Sequence, residues 1–82
     1  MNFTWREATG PFPPGCARAW HAVEGNLALA AIMQTMSGGK FMLVYRMADA
    51  QRSTVEHFDA VTMAIQRANQ ILSTAVVVPR QI

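Results

Sequence analysis

The chain has 82 residues, of which 51% are hydrophobic and 15% charged, with a formal net charge of +2. A charged share well below the usual quarter, joined to high hydrophobicity, excludes a disordered chain, which needs the reverse balance. The length sets a single domain that buries roughly 60–65% of its unfolded surface, so apolar side chains outnumber the places in its core and association would relieve the excess.

The basic residues, Arg6, Arg18, Lys40, Arg46, Arg52, Arg67 and Arg80, are spread singly along the chain. Phosphate-tracking surfaces gather such residues into stripes, because affinity scales with the number of phosphates neutralised. Cys16 is the single cysteine, which leaves no partner for an internal disulfide. With six methionines beside it, the composition fits a reducing compartment. No charged start followed by an apolar run marks a signal peptide, and no stretch approaches eighteen apolar residues. The expectation is a cytoplasmic protein without a membrane span.

In chain order, Phe3, Thr4 and Trp5 are strand formers in a short run. The segment Gly10-Pro11-Phe12-Pro13-Pro14-Gly15 holds too much proline and glycine for a helix or a central strand. Residues 1–15 therefore read as an N-terminal arm and loop, and residues 16–82 as one domain. Pro11 and Pro14 have the PxxP spacing of some recognition peptides, but no flanking basic cluster accompanies them, so a linker is preferred. From Arg18 to Glu24 polarity partly alternates, with Trp20 and Ala22 on one side. Gly25 and Asn26 then supply tight-turn chemistry.

Leu27–Met36 has two readings. Its alanine, leucine and methionine content favours a helix that Asn26 could cap, whereas turn signals on both flanks favour a strand, the preferred reading. Ser37-Gly38-Gly39 folds the chain back into Phe41–Met47, whose Phe, Val and Tyr content makes a strand. Successive strand residues point to opposite faces. Phe41, Leu43, Tyr45 and Met47 then share one face, and Met42, Val44 and Arg46 the other. In the preceding strand Leu27, Leu29 and Met33 fall together, as do Ala28, Ile32 and Met36. The hairpin is apolar on both sides.

Phe58, Val61, Ala64, Ile65, Ala68, Ile71 and Leu72 occupy one arc of a helical wheel, roughly 140° wide, with Met63 on the polar side. The helix starts either at a capping box formed by Ser53 and Glu56 or later, behind Asp59. In the second case Thr54–Phe58 becomes a short extra strand. Ala75–Val78 is β-prone, and Pro79 is expected to stop it.

Catalytic chemistry finds little support. Cys16, His21 and His57 are the only thiol and imidazoles, no family signature surrounds them, and a proline-rich loop is a poor platform for a precise site. His57 and Asp59 offer two metal ligands at most, short of the three or four a site needs. Ser37-Gly38-Gly39-Lys40 lacks the Walker spacing. Glu56 and Asp59 suit a helix start better than acid–base work. The sequence thus points to no enzyme, no cofactor, no metal and no small-molecule substrate.

The expected fold class is α+β: a small antiparallel meander of three or four strands with one long C-terminal helix on one face. Bulk assigns the helix to the face of Leu29, Met33, Leu43 and Tyr45. The opposite face, with Ile32, Met36, Met42, Val44 and Arg46, is then free to bind a protein partner, a second copy, or both. By analogy of size and composition, the expectation extends to an inhibitor or adaptor of the phage or mobile-element anti-defence type, which would occlude a larger protein. The competing expectation is a nucleic-acid module in which Lys40, Arg46 and Arg52 meet phosphates or base edges and Trp20 or Tyr45 stacks on bases.

Overall fold

The computed structural model describes residues 3–36 and 39–81. Its elements run in the order β1 (Thr4–Glu7), β2 (Cys16–Glu24), β3 (Leu27–Thr35), β4 (Phe41–Tyr45), β5 (Thr54–Phe58), α1 (Val61–Thr74) and β6 (Arg80–Gln81). Strands β1 to β5 form an antiparallel meander in chain order, and the two-residue β6 pairs with β3. The α+β class expected from the sequence holds, with more strands than the three or four foreseen. One addition comes from the N-terminal stretch, where Thr4–Glu7 pairs with β2 from Val23 to Trp20. A second is Thr54–Phe58, the strand alternative at the start of the helix, and a third is the two-residue β6.

Leu27–Thr35 is a strand, because its flanking turns and its pairing on both edges outweigh the helix propensity of its alanines and leucines. At the β2–β3 turn Gly25 has φ +63°, which the two-residue hairpin requires and which a side chain would strain. At the β3–β4 turn Ser37 and Gly38 lie outside the described residues; beside them the Thr35 amide donates to the Lys40 carbonyl at 3.0 Å.

The β2–β3 ladder is irregular. Ala22 pairs with Ala30 but Val23 pairs with Ala28, so Leu29 is an extra residue on β3, a β-bulge. Past Ala31–Val44 the β3–β4 pairing ends, and the chain after α1 enters the gap. Val78 donates to the Arg46 carbonyl at 2.8 Å, Met47 and Val77 form an isolated bridge, and Arg80 and Gln81 pair with Ala28 and Leu27. Pro79 thus does not end the tail. It sits just before the two residues that join β3, where its missing N–H breaks no ladder bond.

Helix α1 lies on one face of the sheet. Ala64, Ala68, Ile71 and Leu72 are buried in one cluster with Ala22, Leu29, Ala30, Ile32, Leu43, Tyr45 and Val77. Alanines at 64 and 68 leave room for the helix backbone to approach closely, and Ile32 and Leu43, paired across β3 and β4, lie fully buried beneath it. Met63 is 51% exposed on the outer side, as its place on the wheel requires. Neither candidate side-chain cap operates: Ala60 occupies the cap position, and Asp59 is paired with Lys40. Trp5 donates its indole N–H to Asn69 Oδ1 at 3.1 Å and so ties β1 to the helix.

Candidate functional site: the open sheet face

Residues paired across neighbouring strands share a face of the sheet. Away from the helix, Arg6, His21, Ala31, Val44 and Val55 form one such row, and Ala19, Met33, Met42 and His57 the next. Ala31, Met33, Met42 and Val44 are half-buried and Val55 is 47% exposed, with no helix over them among the described residues. The middle of this face is apolar, and its edges carry Arg6 on β1 and His57 on β5.

The ion pairs lie elsewhere. Arg18 bridges Glu7 at 2.8 Å, with its guanidinium 4.9 Å from the ring centre of Trp20 on the helix side. Arg67 on α1 bonds Glu56 at 3.0 Å, and Lys40 pairs with Asp59 near the turn. Tyr45 donates its hydroxyl to Glu56 Oε2 at 2.5 Å. That bond holds the Glu56 carboxyl below its ordinary range, against partial burial and with help from Arg67. Burial raises the Tyr45 phenol, and the Glu56 carboxylate adds to the rise. Arg18 and Lys40 likewise lower Glu7 and Asp59 through hydrogen bonds. Neither apolar row of the open face contains a carboxylate.

The residues expected to bind a protein partner separate. Met42 and Val44 lie on the open face, and Arg46 is exposed just beyond β4. Ile32 does not lie there: it is completely buried beneath the helix, and Met33 takes the outward position. The exchange follows from the bulge, since the extra residue at Leu29 reverses the alternation and puts Leu29, Ala30 and Ile32 in one core. Met36 is 73% exposed but lies past the end of β3, in the turn.

The nucleic-acid set also disperses. Tyr45 is buried and bonded to Glu56. Trp20 is half-buried on the helix side, packed on Phe41 at 5.9 Å between ring centres. Lys40 is paired with Asp59 and stands at the far end of β4 from Arg46, roughly 20 Å away along an extended strand. Arg46 and Arg52 remain exposed.

Sequence reading missed Ala19, His21, Ala31, Met33 and Val55 as members of the face. Val55 was findable, because Thr54-Val55-Glu56-His57-Phe58 alternates once it is taken as a strand. Cys16 donates its thiol to the Arg18 carbonyl at 3.3 Å rather than to an imidazole. Among the described residues no three His, Cys, Asp or Glu side chains gather as a metal site, and no helix is long and apolar enough to cross a membrane. What this face offers chemically is apolar contact area flanked by Arg6 at one edge and His57 at the other. Comparison with protein-family models, curated proteins and solved structures finds no match for the chain.

Proposed function

We propose that the chain is a small non-catalytic protein-binding domain that acts by surface contact through its open sheet face. One observation carries the reading: α1 covers one side of a sheet whose other side is also apolar at its centre, from Ala31 and Met33 through Met42 and Val44 to Val55. Contiguous exposed apolar surface on a small domain marks an interaction site. In isolation the occupant is a second copy of the chain. A two-fold contact that sets the Arg46 end of one copy over the Met33 and Met42 end of the other keeps like charges apart and joins the apolar centres.

The strength of that contact is bounded by its size. Five strands about 4.8 Å apart and about five residues long present on the order of 350 Å² in projection. Two such faces give roughly 700 Å² in projection, below the ~1,000 Å² of a standard specific interface, so pairing through them is weak and reversible. A face of this kind also suits occlusion of a larger protein's apolar surface, the mode of action of a small inhibitor or adaptor. The test is the mass in solution of the native chain and of Val44→Asp. A concentration-dependent dimer that the substitution returns to monomer supports the reading, and a native chain that stays monomeric at high concentration refutes self-association.

A further inference from the structure

We propose that the cleft where the C-terminal tail enters the sheet binds a small organic anion, a carboxylate or phosphate head carried on an apolar body. The cleft exists because β3 and β4 stop pairing at Ala31–Val44 and the tail, held by Val78 to Arg46 and by Arg80 to Ala28, only partly fills the gap. It encloses about 610 Å³, within the range of small-molecule sites. Arg46, Arg80 and His21 line it, and among the described residues no Asp or Glu side chain does.

Among the described residues neither arginine is in an ion pair; the three pairs use Arg18, Lys40 and Arg67. Two guanidinium groups without a carboxylate partner beside a concave surface are donors matched to a planar or tetrahedral oxyanion, which they grip in bidentate fashion. Ala31, Val44 and Val78 add apolar wall, so the site favours an anion with a hydrocarbon part over a bare ion. Arg46 and Arg80 lie far apart in the chain, and only the tail's return into the fork brings them to one cleft. The cleft shares His21, Ala31 and Val44 with the open face, so the titration is made on chain dilute enough to be monomeric, where a second copy does not compete for those residues.

The experiment is an NMR titration of the full ¹⁵N-labelled chain with hexanoate, hexyl phosphate and inorganic phosphate. Saturable shifts at the amides of residues 28–31, 44–46 and 78–81 with at least one of the two organic anions are expected, with inorganic phosphate binding at least tenfold more weakly. The tighter of the two organic anions identifies the head group. Arg46→Gln, and separately Arg46→Gln with Arg80→Gln, should weaken binding tenfold or more while the remaining spectrum is unchanged. Arg52→Gln, at an exposed arginine outside the cleft, should leave binding as it was. Shifts that fail to saturate or scatter over the surface overturn the proposal. So does equal affinity for inorganic phosphate, and so does binding untouched by loss of the two arginines.

Discussion

Leu43 and Val44 are consecutive residues of β4 in opposite environments, and placing an aspartate at each in turn separates the two sides of the sheet. Leu43 is fully buried between Ile32 on the neighbouring strand and the helix, whereas Val44 faces outward, half-buried, between Ala31 and Val55. Removing a buried leucine side chain costs about 2–5 kcal/mol. A carboxylate put in its place without a partner adds several kcal/mol more. A domain of this length has roughly 4–12 kcal/mol of stability in total. Leu43→Asp should therefore be unfolded or close to it. Val44→Asp forfeits about 1 kcal/mol of strand preference at most, and its charge stays in contact with water. Circular dichroism and tryptophan fluorescence over a urea series read the difference, with Trp5 and Trp20 both packed against the core as reporters. Two cooperative transitions with similar midpoints would refute the assignment of the faces, and so would loss of structure in both variants.

Other consequences are equally concrete. Tyr45→Phe removes the hydroxyl that donates to the Glu56 carboxylate, and should cost about 1–2 kcal/mol at neutral pH. Because the folded Glu56 titrates below its ordinary value of 4.5, its contribution is complete above that value and is lost as pH falls through the lowered folded value. The variant should thus lose less stability on acidification than the native chain, as read by urea midpoints between neutral and acid pH. Ala68→Leu, at a position 1% exposed where helix meets sheet, should overpack the contact and lower stability by about 1–3 kcal/mol in the same assay. Gly25→Ala forces a side chain into the left-handed region at the β2–β3 turn and should cost about 1 kcal/mol, although the space beside it is open.

What could be read in the sequence was whatever rests on local pattern. The helix from Val61 onward follows from its 3.6-residue period, and β4 from its aromatic and branched residues behind a glycine turn. Alternation puts Met42 and Val44 on one face, and the bulk of Leu43 and Tyr45 on the other turns that face away from the helix. What escaped depends on events between distant segments. The bulge at Leu29 is set by the pairing of β2 with β3, and nothing in Leu27-Ala28-Leu29-Ala30 announces it. One extra residue was enough to exchange Ile32 and Met33 between core and open face. Thr4–Glu7 is too short to be recognised as a strand until β2 offers it an edge. The cleft around Arg46 and Arg80 had no local signal at all, since it is built by a tail that passes a proline to reach β3.

The most direct test of the open face is the absolute mass of the native chain by light scattering on a sizing column, loaded at roughly 1 mM so that a weak dimer is populated. A chain of 9.0 kDa that pairs through this face should elute at about twice that mass, drift toward the monomer on dilution, and become monomeric but folded in Val44→Asp. A native chain that stays at 9.0 kDa at every concentration would contradict self-association through the sheet. A dimer that survives Val44→Asp unchanged would place the contact elsewhere on the molecule.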